Sequence, residues 1–307
     1  MTPEPSAAGD HAICPLCLSR RTAPYARHSR VAQVVRRCVD CALYFAWPHQ
    51  SMIPTVTDGA PDRDFTFWGS ECAHIAYQRW RTTENREIGA LALAHFPDGR
   101  CERLLEIGFG EGPLTEILLP ATAEYWGIEP VPATCAKTAQ ALGLAPERAL
   151  CCRAEDLGAG GPVEHLASHF DMVVMVSVFE HLSQPRQVLE DCLRLLKPGG
   201  RLLISTPDST FFRQLRLLRR LAQMEPWTHF HVSFFKPANL ERAFQAVGFE
   251  VLTRLRRPLV TSESIAYFAA LTDSAAIGWL MRMFKRSGLA ALLRTHTLFY
   301  VLRKPHG

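Results

Sequence analysis

Residues 104–117, Leu-Leu-Glu-Ile-Gly-Phe-Gly-Glu-Gly-Pro-Leu-Thr-Glu-Ile, decide the fold. An apolar strand ends in an acid, a glycine-rich turn follows, and a helix begins. Gly108, Gly110 and Gly112 let the backbone turn sharply and approach a ligand closely. Pro113 suits the first turn of a helix, where a missing N–H costs nothing. The helix N-terminus then offers N–H groups to an anionic group. The stretch therefore reads as a nucleotide-type binding turn. A dinucleotide turn would read G-x-G-x-x-G, but its third glycine would fall at Pro113. Glu106, two residues before the first glycine, would repel a pyrophosphate. It suits a ligand that carries an ammonium and a sulfonium.

Working outward, Ala-Glu-Tyr-Trp-Gly-Ile at 123–128 reads as a second strand, ending at Glu129-Pro130. Glu129 follows Gly108 at the roughly 20-residue interval of an acid that grips a ribose diol; the alternative is an ordinary acid after a strand. Arg153-Ala-Glu155-Asp156-Leu157 is an acidic turn after a third strand. Met172 to Val176 is a short continuous apolar run, as in a strand buried on both faces. It leads into Ser177-Val-Phe-Glu180-His181-Leu182. Residues 185–196 carry Val188, Leu189, Cys192, Leu195 and Leu196 on one helical stripe. Lys197-Pro-Gly-Gly200 stops that helix, and residues 201–207 form the next strand.

Together, Glu106-x-Gly108-x-Gly110, the Phe170-Asp171 … Glu180-His181-Leu182 block and the Lys197-Pro-Gly-Gly … Thr206-Pro207 block resemble the class I S-adenosylmethionine (SAM)-dependent methyltransferases, over roughly residues 85–256. Phe109 stands where that family commonly has cysteine. The resemblance implies an α/β fold with a Rossmann-like seven-stranded sheet, and SAM as cofactor. It places Glu106, Gly108, Phe109, Gly110, Gly112, Glu129, Pro130, Glu155, Asp156 and Ser177 around that cofactor, with an acid of the 153–157 turn accepting from the adenine amino group.

Cys14-Pro-Leu-Cys17 and Cys38-Val-Asp-Cys41 form a second pattern, two C-x2-C pairs about 20 residues apart. Four thiolates in two tight pairs suit a tetrahedral Zn2+, and with no open ligand the ion would be structural. A segment this small buries too little core to fold without such a staple. A four-cysteine ribbon ahead of a methyltransferase core resembles a bacterial family linked to polysaccharide, sugar and secondary-metabolite methylation. Some of its members are sugar C-methyltransferases with a long extra C-terminal domain, for which this chain is too short.

The 307 residues, 48 % hydrophobic, fit one α/β domain plus a small module. Neither a signal segment nor an apolar run of membrane-spanning length is evident, which suits a cytoplasmic enzyme. The net charge of +4 is too mild to imply nucleic acid. Cys72, Cys101, Cys135, Cys151, Cys152 and Cys192 read as small buried hydrophobes in a reducing compartment. The expected boundaries are a ribbon at 12–47, a linker and cap helices at 48–96, and the methyltransferase domain at 97–304 with a basic helical insertion at about 258–295. Within 65–96, Ile75, Arg79, Arg86 and Ile88 mark the helical run.

Methyl transfer is an in-line displacement, so the protein positions the nucleophile and, for a hydroxyl, takes its proton. Candidate bases are His181, beside Glu180, and His229 and His231 in Trp227-Thr-His-Phe-His-Val-Ser-Phe-Phe. The alternatives are a structural hydrogen bond for His181 and loop packing for the other two. Glu180 with these histidines also suits a divalent metal. In the insertion, Ile277, Leu280, Met281 and Phe284 follow helical spacing, with Arg282, Lys285 and Arg286 on another face. From Arg254 to Lys304 nine Lys/Arg stand against two acids, Glu263 and Asp273, and a second basic helix is expected at 211–220. Such helices either cover the substrate cleft or lie peripherally on an anionic membrane at the inner membrane face. The acceptor is read as a small molecule, sugar or lipid-linked glycan, most simply a hydroxyl. Two other readings stay open: an RNA-modifying enzyme gripping RNA through Arg20, Arg21, Arg27, Arg30, Arg36 and Arg37 of the ribbon, and a SAM-binding regulator without activity.

Overall fold

The computed structural model describes residues 12–27, 34–48, 71–210, 231–258, 262–271, 274–288 and 294–306. His229, the basic helix expected at 211–220 and nearly all of the linker expected at 48–64 lie outside the described residues.

The main sheet has seven strands. In chain order these are β4 (Cys101–Ile107), β5 (Thr122–Ile128), β6 (Ala149–Leu150), β7 (Phe170–Val176), β8 (Leu196–Pro207), β10 (Glu250–Pro258) and β11 (Arg294–Arg303). Their spatial order is β10-β11-β8-β7-β4-β5-β6. Strands β4 to β8 are parallel, and β11 inserts antiparallel between β8 and β10. The chain runs outward from β4 through β5 to β6, then restarts on the other side of β4 with β7. The crevice above the β4 and β7 strand ends is therefore a topological switch point, where open α/β sheets bind ligands. Helices on both faces explain why the strands are apolar throughout: Leu104, Leu105, Met172, Val173, Val174 and Met175 are all fully buried.

The helices are α1 (Glu71–Leu93), α2 (Thr115–Leu118), α3 (Pro132–Leu142), α4 (Pro185–Leu195) and α5 (Pro237–Val247), with α6 (Ser262–Leu271) and α7 (Ala275–Arg286) in the insertion. The helix expected from Pro113 is a single turn, α2, because Pro120 follows in a 3-10 turn at Leu119–Ala121. Gly143 and Gly248 end α3 and α5 in the left-handed conformation. Against expectation, Leu280 of α7 is 62 % exposed, while Met281 and Phe284 pack on Ile265 of α6. Resting on α6, α7 buries a narrow stripe and leaves Trp279, Leu280 and Met283 exposed among the described residues.

The ribbon forms an antiparallel sheet of β1 (Thr22–Arg27), β2 (Val34–Cys38) and β3 (Tyr44–Trp47). A fourth strand, β9 (Ser233–Phe234), completes it from beyond β8. Phe45, Leu43 and Leu16 of the ribbon share one apolar core with Phe179, Phe235 and Leu240.

The scattered cysteines need a correction. Cys135 and Cys151 are disulfide-bonded, because α3 and the end of β6 bring their Cα atoms to 5.8 Å. Cys72 is exposed, whereas Cys101 and Cys192 are buried as expected. Among the described residues no helix is long and apolar enough to cross a membrane.

Candidate active site

The loop after β4 forms one wall of a cleft, and α1 forms the other. Gly108, with φ of +79°, lies against Val178 so closely that a Cβ would come within 2.4 Å of its Cγ2. Gly110, with φ of +53°, faces open space: a Cβ there meets nothing within 4 Å. Phe109 is buried, and its ring fills the space beside Gly127. The family's small cysteine is thus replaced by a side chain for which β5 makes room with a glycine. Gly112 does not face the cleft; it packs against Thr138 and Leu142 of α3.

Glu106 lies at the base of the cleft and is buried. One carboxylate oxygen accepts from Tyr125 Oη at 2.7 Å and Thr115 Oγ1 at 3.0 Å. Burial pushes its pKa up to about 7, against the lowering effect of those two donors. Opposite stand Tyr77, Gln78, Arg81 and Asn85 of α1. Arg81 forms a salt bridge with buried Glu84. Sequence reasoning passed over this face, because it followed Ile75, Arg79 and Arg86, which are exposed. The available signal was a stripe at helical spacing, Tyr77, Arg81, Glu84, Asn85 and Ile88, polar where a core-facing stripe would be apolar.

Glu129 sits beside the loop at the end of β5, with its carboxylate oxygens accepting from Gly110 N–H at 3.0 Å and Val131 N–H at 3.1 Å. Burial raises its pKa, and these two bonds oppose the rise. Pro130 follows it, partly buried. Glu155 and Asp156 lie on a 3-10 turn after β6. Glu155 accepts from both the N–H and the hydroxyl of Ser183 at 2.9 Å, which ties this turn to the loop after β7. Asp156 is exposed and accepts from Arg153 N–H. Ser177 ends β7 with φ of +55°, its N–H directed at Ser205. Glu129 is thus bonded to the cleft loop itself, and Glu155 and Asp156 to their own turn and to Ser183.

Above β7 the chain brings Glu180, His181 and His231 together, with one ligand-type atom of each within 4.8 Å of the others. The imidazole rings of His181 and His231 lie 5.0 Å apart, and His181 Nε2 is 4.0 Å from Glu180 Oε1. Glu180 is buried, its Oε2 has no hydrogen-bond partner among the described residues, and burial raises its pKa. Both histidines are partly exposed. The four ribbon cysteines also converge, their sulfurs within 4.8 Å of one another. Cys14 and Cys41 are 3.6 Å apart and Cys17 and Cys38 3.5 Å, while Cys41 N–H points at Cys38 Sγ. Four clustered sulfurs with a backbone amide turned toward one of them fit a tetrahedral zinc ion.

A strand–loop–helix crevice at the switch point of a parallel sheet, with a buried acid at its base, is the architecture of nucleotide-type cofactor binding. A family model described as "Methyltransferase domain" matches residues 77–254, more than half of the chain. The chain belongs to this family and is a SAM-dependent methyltransferase. A ubiquinone biosynthesis O-methyltransferase of Methylococcus capsulatus is 27 % identical over 194 residues, covering 57 % of this chain and 78 % of that protein. One of Bordetella avium is 31 % identical over 156 residues, covering 48 % and 62 %. The chain thus spans less than two thirds of the second relative's length. Among solved structures, N-methyltransferase NodS of Bradyrhizobium japonicum with S-adenosyl-l-homocysteine is 16 % identical, with 75 % of this chain and 88 % of that chain covered and a TM-score of 0.44.

Proposed function

We propose that the protein transfers the SAM methyl group to a hydroxyl of a small-molecule, sugar or lipid-linked glycan acceptor. The observation that carries this reading is the Glu180–His181–His231 cluster, set at the strand ends beside the cofactor cleft. SAM supplies an activated methyl group; the residues of this chain bind, orient and move a proton. Glu106 would meet the cofactor's ammonium, and Arg81 would offer a planar fork to its carboxylate. Gly108 and Gly110 would let the backbone approach, with Phe109 behind them. Glu129, at the end of β5, would hold the ribose diol, with Pro130 fixing the following backbone. Glu155, Asp156 and Ser177 would border the adenine side.

The cluster would hold the acceptor oxygen toward the methyl group that bound SAM would supply. The hydroxyl proton passes to an imidazole nitrogen of His181 or His231, and Glu180 steadies the resulting imidazolium. A structural Zn2+ on Cys14, Cys17, Cys38 and Cys41 holds the ribbon. Titrating the purified chain with SAM, then assaying methyl transfer to phenolic and sugar acceptors, tests the reading. No SAM binding would overturn it.

The same cluster favours a second reading of its own chemistry. A buried carboxylate oxygen without a partner, beside two imidazoles, could hold a divalent cation that orients the acceptor oxygen. Turnover insensitive to chelators that leave the ribbon zinc in place would exclude this. The RNA reading loses one of its cations, because Arg36 is buried on Thr22; Arg21 pairs with Asp40 but stays exposed. On α7, exposed Trp279, Leu280 and Met283 lie beside Arg282, Lys285 and Arg286, a composition suited to an anionic lipid surface. Co-flotation with anionic but not neutral vesicles checks that contact.

A further inference from the structure

We infer that the four-cysteine ribbon is a positioning element of the acceptor half of the site: it holds the segments that carry His231 and Glu180 in register through β9. The inference rests on the proposed role of that cluster and adds what keeps it assembled.

Two connections run from the ribbon to the cluster. The first passes through Val232, which is fully buried. Its carbonyl accepts from Ala46 N–H of the ribbon at 2.8 Å, and its own N–H donates to the carbonyl of Glu180 at 2.9 Å. One peptide segment is thus bonded to the ribbon on one side and to the cluster's carboxylate residue on the other, and His231 is its immediate neighbour. The pairing continues along the strands, with Phe45 opposite Ser233 and Tyr44 opposite Phe234. Behind it, Phe179 stacks on Phe235 with ring centroids 4.8 Å apart. The second connection comes from the other cysteine pair: the carbonyl of Pro15, between Cys14 and Cys17, faces Arg186 N–H at the start of α4 at 3.4 Å. The loop that carries Glu180 and His181 is therefore tied to the ribbon through β3 and Val232 on one side and through the first cysteine turn on the other.

Strand β9 has only two residues and, among the described residues, pairs only with β3. A strand this short does not persist alone. Strand β3 in turn begins at the turn of the second cysteine pair, where Cys38 N–H donates to Leu43 carbonyl and Ala42 N–H to Cys38 carbonyl. Ribbon cysteines that lose their common ligand keep their apolar packing on Phe179, Phe235 and Leu240 but lose the bonds that fix the two turns relative to one another. Loosening the ribbon therefore releases β9 and with it His231. The cofactor loop at 108–112 rests on β5 and α3, and Gly108 also touches Val178 of the loop after β7, so most of the SAM side stays in place. A misplacement of about 1 Å in a reacting group is enough to cost roughly 10²-fold in rate.

Hydrogen exchange on the full chain tests this without a known acceptor. Ala46→Pro removes the N–H that reaches Val232 while leaving every cysteine in place; Ala46→Ser keeps it. Cys41→Ser loosens the ribbon independently. In Ala46→Pro and in Cys41→Ser, amides of 178–183 and 231–236 should exchange at least about tenfold faster, while 104–117 and the SAM dissociation constant change less than twofold. Ala46→Ser should match the parent. With any accepted acceptor, Ala46→Pro should lower kcat and leave KM for SAM unchanged. Unchanged protection at 231–236 in both variants would overturn the inference. So would faster exchange spread equally over 104–117, which would make the ribbon a general stabiliser. Failure of the parent to bind SAM would instead overturn the proposed function, and the exchange pattern would still judge the ribbon.

Discussion

The two halves of the crevice are built differently. The cofactor half comes largely from one continuous stretch, Glu106 to Thr115, and its carboxylates bond to near neighbours: Glu106 Oε2 accepts from Thr115 and Tyr125, and Glu129 from Gly110 and Val131. The proposed acceptor half is assembled from the loop after β7, the segment before β9 and the ribbon, and among the described residues one buried oxygen of Glu180 has no hydrogen-bond partner. A local half presents one fixed set of groups, which suits a ligand that is always the same. A composite half depends on contacts between segments far apart in sequence, and the proposed chemistry and acceptor choice would reside there.

The largest expected effect separates the two halves by function. His181→Ala or His231→Ala, whichever removes the base, should lower turnover by roughly 10²–10⁴-fold, with SAM affinity measured by calorimetry nearly unchanged. If neither substitution alters turnover at any pH, proximity alone drives the reaction and the division of labour falls. His229→Ala, the third candidate from the same stretch of sequence, belongs in the same comparison.

On the cofactor side the effects should fall on binding. Gly110→Val fills the space that the backbone leaves open and sets a β-branched residue at positive φ, so SAM binding should be lost. Arg81→Lys keeps a charge beside Glu84 but removes the planar fork. It should weaken SAM by about tenfold, as for one charged hydrogen bond. Normal SAM affinity in Arg81→Lys would move the carboxylate site away from α1.

The same contrast explains what the sequence made legible. Strands buried on both faces announce themselves as apolar runs, and β4, β5, β7 and β8 lie where Leu104, Tyr125, Val173 and Leu203 suggest. The glycine loop and Glu106 are contiguous, so their chemistry is visible in one stretch. His231 could not be told from His229, because its place is set by Val232 bridging two segments far apart in sequence. The Cys135–Cys151 pairing is hidden for the same reason: a sequence separation of 16 says nothing about α3 folding back beside β6. Arg81 was readable in principle, but a polar stripe on a helix resembles a solvated face until another element is known to cover it.

The smallest expected effect sharpens the account of the cofactor half. In the free protein the Glu106 carboxyl has a pKa of about 7, raised by burial. An ammonium beside it stabilises the anion, so its pKa is lower in the SAM complex than in the free protein. Protons therefore compete with SAM: affinity is full above about pH 7 and weakens as the pH falls, approaching tenfold per unit between the two pKa values. Glu106→Gln should bind more weakly and show no such slope. Tyr125→Phe removes a donor that lowers the pKa, so the midpoint should move to higher pH. Calorimetric titrations between about pH 5.5 and 7.5, a range set by the ordinary carboxyl and the raised value, would read all three. A parent protein with pH-independent affinity would mean that Glu106 is not the ammonium's partner, and that its bonds to Tyr125 and Thr115 serve only to brace the loop.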